Sequence, residues 1–289
     1  MTAKEFLTEK IDEELGLYYK DLKQSNPEIT QMIIERWSND ALNSENSRYQ
    51  ELNKYIQDLG NKKILDMSSG CGSFVIQGLL KGYNVHGIEP EDWKQALIDI
   101  KFKENSYPSE WRSNIRQGIG EKLPFENESF DVFNSWQTFE HVQSVQACLN
   151  ELNRVLKPVG KGIIHCPSYM TFYEGHYRMF WLPMLGNSSL GKFYVKLMRR
   201  PIGGLSTFVP ITKSMLVKKA KKAGFTITDI PKNEIHEAAK RRFPRLIKSI
   251  GFFALPILYN TWALKQAITR FGKVERTIHV MLTKENKMK

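Results

Sequence analysis

Two carboxylates and two glycines between positions 66 and 89 have the types and spacing to hold a nucleoside. Asp66, Gly70 and Gly72 follow the apolar pair Ile64-Leu65, and Glu89 ends the run Val85-His86-Gly87-Ile88-Glu89. The glycines permit a tight turn with close backbone approach, and Phe74, Val75, Leu79 and Leu80 then resume at helical spacing. An acid about twenty residues beyond such a turn can accept hydrogen bonds from both ribose hydroxyls. Two details narrow the ligand. A dinucleotide fingerprint needs Gly or Ala at the position held here by Val75. Asp66 also places a negative charge just before the loop, which opposes a pyrophosphate and suits a ligand carrying an ammonium and a sulfonium.

A second set of candidates falls further along. Glu140-His141-Val142 follows the strand-like run 130–135, and the stretch after 167 brings together Tyr169, Phe172, Tyr173, Glu174, His176, Tyr177, Arg178 and Trp181. Aromatic side chains with polar tips suit a ligand pocket, although an aromatic run is equally a way to build core. His141 and His176 are both candidate general bases, with Glu174 or Tyr173 able to orient His176.

The loop resembles motif I of the class I S-adenosylmethionine-dependent methyltransferases, D-x-G-x-G-x-G, with Asp66, Gly70 and Gly72 matching and Ser68 standing where the first glycine usually is. Three further runs are similar to that family: Gly120-Glu121-Lys122-Leu123-Pro124-Phe125 with Phe130-Asp131-Val132, then Glu140-His141-Val142, then Lys157-Pro158-Val159-Gly160. The resemblance implies S-adenosyl-L-methionine as cofactor, held by Asp66, Ser68, Gly70, Gly72, Glu89, Gly120, Glu121, Ser135 and Trp136. It implies an acceptor site near Tyr173, Glu174, Tyr177, Arg178 and Trp181, with His141 or His176 as base. In ubiquinone-pathway relatives an E-x-x-E-H run binds metal. Gln137 replaces the first acid here, so Gln137, Glu140 and His141 make only a weak metal set, and no metal is expected.

These residues need a frame. The family resemblance implies an α/β fold: a Rossmann-like sheet of seven strands, the last antiparallel, with helices on both faces. Helical spacing in the first sixty residues gives a cap over 1–60, in which Trp37 and Tyr49 either line the cofactor or pack. The methyltransferase domain then runs over 61–289, with insertions at 167–211 and 231–273. Thr212 reads as a helix N-cap and Gly224 as its end.

Composition fits a globular protein of 289 residues, 41% hydrophobic and 25% charged. Cys71, Cys148 and Cys166 have no paired or metal-ligand spacing, and the N-terminal stretch lacks a signal peptide's apolar run, so a cytoplasmic protein is expected. The net charge of +11 is concentrated: residues 191 to 273 hold 18 Lys and Arg against three acids. Within it, 240–265 joins Lys240-Arg241-Arg242, Arg245 and Lys248 to an apolar run too short to span a bilayer. Such a segment either rests on the anionic inner face of a membrane or packs as an insertion helix. The acceptor is therefore expected to be a small molecule, a glycan or a lipid-linked group methylated at oxygen. A nucleic-acid methyltransferase is the competing enzyme, but Asn134-Ser135-Trp136-Gln137 lacks the prolines of the base-amino methylating tetrad. The departures at Ser68, Ile119 and Val159 keep open a third class, a non-catalytic protein that retains the fold.

Overall fold

The computed structural model describes residues 1–18, 27–40, 45–171, 173–174, 176–177, 179–181, 185–230 and 277–286. The proposed interfacial segment 240–265 lies outside the described residues.

Apolar alternation produces the central sheet. Ile64 and Leu65 are neighbours in β1 (Lys63–Asp66) and point to opposite faces, each wholly buried in a different core. β2 (Asn84–Glu89), β3 (Ile115–Gln117), β4 (Phe130–Trp136) and β5 (Leu156–Pro167) add in parallel around it. A short hairpin of β6 (Tyr173–Glu174) and β7 (Met179–Phe180) stands apart from this sheet. β8 (Phe225–Asp229) and β9 (Thr277–Lys284) complete the seven strands in the order β3-β2-β1-β4-β5-β9-β8, with β9 antiparallel to both neighbours. The expected seven-stranded Rossmann-like sheet with an antiparallel last strand is thus the observed one.

The helices in chain order are α1 (Ala3–Gly16), α2 (Pro27–Ser38), α3 (Glu45–Tyr55), α4 (Ser73–Leu80), α5 (Asp92–Glu104), α6 (Val145–Val155), α7 (Ser189–Leu197) and α8 (Lys213–Lys222). On one face α3, α4 and α5 pack Leu52, Phe74 and Ile98 against Ile64, Val85 and Ile163. On the other, α6 and α8 pack Leu149, Leu152 and Leu216 against Leu65, Phe133 and Ile164. Ser144 caps α6 by accepting the Ala147 N–H, and Thr212 caps α8 in the same way from Met215. The N-terminal helices form a small core of their own, Leu7, Ile11 and Ile34 meeting Leu97 of α5. Tyr49 belongs to structure rather than to a cofactor wall: its ring stacks on Phe74 at 4.2 Å and its hydroxyl donates to the Phe74 carbonyl. Trp37 packs beside Trp93.

β5 begins at Leu156, several residues before the apolar run, because the Lys157–Gly160 turn stays within the strand through an irregularity in its pairing with β4. Val159 there has φ +56° and is exposed, an unusual conformation for a β-branched residue. Among the described residues no helix is long and apolar enough to cross a membrane.

Candidate active site

The glycine loop runs from β1 into α4 at the carboxyl ends of the strands, where ligands bind in sheets of this kind. Its left-handed positions are Gly70 (φ +53°) and Gly72 (φ +81°). A Cβ at Gly72 would press on Ile98 and Ile115 at 3.1 Å, whereas one at Gly70 meets nothing within 4 Å. Gly72 therefore serves close packing, and Gly70 leaves open space above the turn. Ser68 does not adopt positive φ, so serine carries no backbone strain where the family usually has glycine.

Glu89 borders that open space. It is wholly buried, and its two oxygens accept the N–H groups of Gly70 (2.9 Å) and Glu91 (3.1 Å), with the Lys94 ammonium 3.8 Å away. Burial is the largest influence and raises its pKa, against the opposing pull of Lys94. Asp66 is also buried and accepts from the Asn134 amide at 3.0 Å.

A buried ion pair fixes this loop, and no local signal in the sequence points to it. Lys101 of α5 is wholly buried; its ammonium pairs with Asp40 and donates to the Cys71 carbonyl (2.8 Å) and the Ser73 hydroxyl (3.2 Å). Asp40 also accepts from Ser73 at 2.6 Å and takes Gln77 on its backbone carbonyl. The helical cap is thereby stapled to both sides of the turn.

Other expected cofactor residues have defined placements. A Cβ on Gly120 would meet the Met67 methyl at 2.5 Å, so that flexible side chain would have to shift. The Glu121 carboxylate accepts the N–H groups of Gln143 and Ser144, at the approach to α6. Ser135 is buried, and its hydroxyl has no hydrogen-bond partner among the described residues. The Trp136 ring stacks on His165 at 3.9 Å, with the Arg48 guanidinium over its face. Ile119 is half-exposed.

The second set of residues converges. His141 and His176, 35 positions apart in sequence, have ring centroids 5.0 Å apart. His141 donates from Nδ1 to the Thr207 carbonyl at 2.7 Å, which leaves Nε2 as its accepting nitrogen. Desolvation and then the neighbouring His176 lower its pKa despite that hydrogen bond. His176 lies between Tyr18 and Phe208, near-parallel rings at 5.1 and 5.8 Å. Its Nδ1 meets Glu174 at 2.6 Å. Burial alone would lower its pKa, but the Glu174 hydrogen bond and the charges of Glu174, Glu140 and Glu14 outweigh burial and raise it. Near neutrality the pair therefore divides into a neutral His141 and a His176 biased toward imidazolium.

Glu174 is wholly buried and also accepts from the Tyr169 hydroxyl and the Tyr177 N–H. Glu140 is wholly buried too, but neither of its oxygens has a hydrogen-bond partner among the described residues, and burial pushes its pKa up to about 7. Three contributors carry no sequence signal: Tyr18, Thr207 and Phe208. The Thr207 hydroxyl donates to the Gly204 carbonyl, so at the 2.5 Å contact between them the Tyr18 hydroxyl is the donor. Thr207 thus ties the chain just after α1 to His141.

Two residues expected at the acceptor site are not exposed. Trp181 is wholly buried against Phe208 and Tyr194, and Tyr177 is wholly buried with its hydroxyl on the Pro201 carbonyl; both build core, because their apolar area is satisfied inside the insertion. The Tyr173 side chain and Arg178 lie outside the described residues. The weak metal set does not assemble either. Gln137 turns to His165 (3.3 Å) while His141 engages Thr207, and the described residues contain no group of three or more His, Cys, Asp and Glu able to hold an ion.

Residues 65–164 match the family model for a methyltransferase domain. The chain carries a class I S-adenosylmethionine-dependent methyltransferase domain. S-adenosylmethionine is the cofactor of this domain. A methyltransferase of Schizosaccharomyces pombe whose role is uncharacterised is 34% identical over 116 residues, which are 37% of this chain and 40% of that one. The ubiquinone/menaquinone biosynthesis C-methyltransferase of Rickettsia massiliae is 28% identical over 149 residues, 45% of this chain and 56% of that one. The chain thus spans about half, or less, of these relatives' lengths. A solved S-adenosylmethionine-dependent methyltransferase from Mesorhizobium loti shares the fold, with TM-score 0.51, 13% identity, and 82% of this chain and 98% of that one covered.

Proposed function

We propose that the protein transfers a methyl group to an oxygen of a small-molecule, glycan or lipid-linked acceptor, with His141 as general base. The observation that carries this reading is the His141–His176 pair beside two buried carboxylates, close to where β4 and β5 end. When bound, the cofactor supplies a methyl group on a sulfonium, held by Glu89, Asp66 and the Gly70 backbone. His141 has its Nδ1 proton committed to Thr207, so Nε2 takes the proton from the acceptor hydroxyl as that oxygen becomes nucleophilic. His176, held by Glu174, keeps positive charge beside the reacting oxygen and favours its deprotonated form. Glu140, with a pKa near neutrality and no partner among the described residues, offers an acceptor for a second donor on the substrate. The Rickettsia massiliae relative acts in ubiquinone/menaquinone biosynthesis, which supports a small acceptor.

The test is transfer of tritiated methyl from S-adenosylmethionine into a cell extract, followed by separation into small-molecule, lipid, glycan, protein and nucleic-acid fractions. Label is expected in one of the first three and is expected to fall by about a hundredfold or more in His141→Ala, the scale of a lost general base. Label in nucleic acid, or transfer unchanged in His141→Ala, contradicts the proposal.

A further inference from the structure

The helix α7 presents two unlike sides. Gly191 and Val195 face inward: a Cβ on Gly191 would strike the Gly186 carbonyl of the preceding turn, and Val195 joins the main core. Ser188 caps the helix by accepting the Gly191 N–H. The opposite side shows Leu190, Phe193 and Leu197, exposed by 63%, 64% and 67%. These positions are three and four apart and form one stripe. Lys192, Lys196 and Arg199 stand exposed along one flank of it. From residue 175 to residue 228 the sequence contains ten Lys and Arg and no Asp or Glu.

We infer that the α7 face docks the protein on an anionic lipid surface. An apolar stripe flanked by cations is what the boundary between acyl chains and acidic headgroups accepts: the stripe enters the apolar edge while the cations meet headgroup charge. Charge decides among the possible occupants. A second copy of the chain would bring the same acid-free, cationic stretch against this one. A nucleic acid would engage the cations but leave Leu190, Phe193 and Leu197 without apolar cover. This surface differs from the 240–265 segment and lies wholly within the described residues.

The position of α7 gives the docking a consequence. Immediately after it, the Pro201 carbonyl takes the Tyr177 hydroxyl, Gly204 donates to the Leu17 carbonyl at 2.9 Å, and Thr207 holds His141. The short run of chain from Leu197 to Thr207 therefore connects the lipid face to the histidine pair. Docking stands independently of methyl transfer, whereas delivery of a lipid-linked acceptor to His141 rests on the proposed function.

The experiment is cosedimentation of the full chain with phosphatidylcholine vesicles, with and without phosphatidylglycerol. Leu190→Ser/Phe193→Ser/Leu197→Ser and Lys192→Glu/Lys196→Glu/Arg199→Glu are the variants, with their melting temperatures and S-adenosylmethionine binding measured alongside. Wild type is expected to pellet with the anionic vesicles and to release in high salt. The apolar triple variant should partition about a hundredfold less, and the charge-reversed variant at least as weakly, with fold and cofactor binding retained. Vesicle binding unchanged in both variants overturns the inference. So does binding lost only on charge reversal and matched by a DNA duplex, which marks a nucleic-acid surface, and so does a dimer in sedimentation that the apolar variant dissolves. None of these results depends on methyl transfer.

Discussion

Replacement of Glu140 by glutamine should stabilise the protein progressively as the pH rises. The Glu140 carboxyl is wholly buried, has no hydrogen-bond partner among the described residues, and has its pKa pushed from 4.5 up to about 7 by desolvation. In the unfolded chain it titrates near its ordinary value. Between those two values the native state binds more protons than the unfolded state, so this group's contribution to stability falls with increasing pH. It is fully present below about pH 4.5 and lost through about pH 7. At about 1.4 kcal/mol per pKa unit, ionising it in place costs about 3 kcal/mol. An amide in its place carries no such penalty. A buried amide without partners costs its own roughly 1–3 kcal/mol, but that offset does not vary with pH. The difference between variant and wild type should therefore change by about 3 kcal/mol in favour of the variant between pH 4.5 and about pH 8. Urea unfolding followed by tryptophan fluorescence and circular dichroism measures it, provided the denaturant slope is the same in both proteins. A difference constant across that range, or one that favours wild type at high pH, would refute the assignment of Glu140 as an uncompensated buried acid.

Other consequences are open to measurement. Lys101→Met leaves Asp40 charged and buried without its partner, and should lower stability by roughly 3–5 kcal/mol. Adding Asp40→Asn should return part of that loss, and an additive double-mutant cycle would deny the coupling. Val159→Gly relieves an exposed β-branched residue of its left-handed backbone and should raise stability by roughly 1 kcal/mol, seen as a higher melting temperature. A lower one would show that the turn does not hold that conformation. In Glu174→Gln, His176 loses the carboxylate that raises its pKa, so its imidazole resonances should titrate at lower pH by NMR; an unmoved midpoint would remove Glu174 from its role.

The centre of the sheet is legible in the sequence because β1 and β4 are short apolar runs buried on both sides, and such runs can be read one at a time. Gly70, Gly72 and Glu89 are legible for the same local reason: a turn and an acid at a fixed separation. Asp40 and Lys101 are not, because two ordinary charged residues 61 positions apart become a buried pair only once α5 packs against the loop. The aromatic run after β5 is half legible. Its residue types fit core and pocket alike, and the fold sends Trp181 and Tyr177 into the core while it keeps His176 beside His141. Tyr18 and Thr207 carry no motif and gain their roles from how the chain just after α1 meets residues 204–207. The Trp136 ring turns to His165 because successive strand residues alternate faces, which a motif match does not encode.

The central claim, that one sheet edge carries a cofactor end at Glu89 and an acceptor end at His141, is tested most directly by calorimetry with S-adenosylmethionine. Wild type and His141→Ala should bind with equal affinity, and Glu89→Ala should bind more weakly by about tenfold or more, the loss of a carboxylate from the ribose hydroxyls. Absence of binding heat in wild type, or Glu89→Ala binding as tightly as wild type, would contradict it.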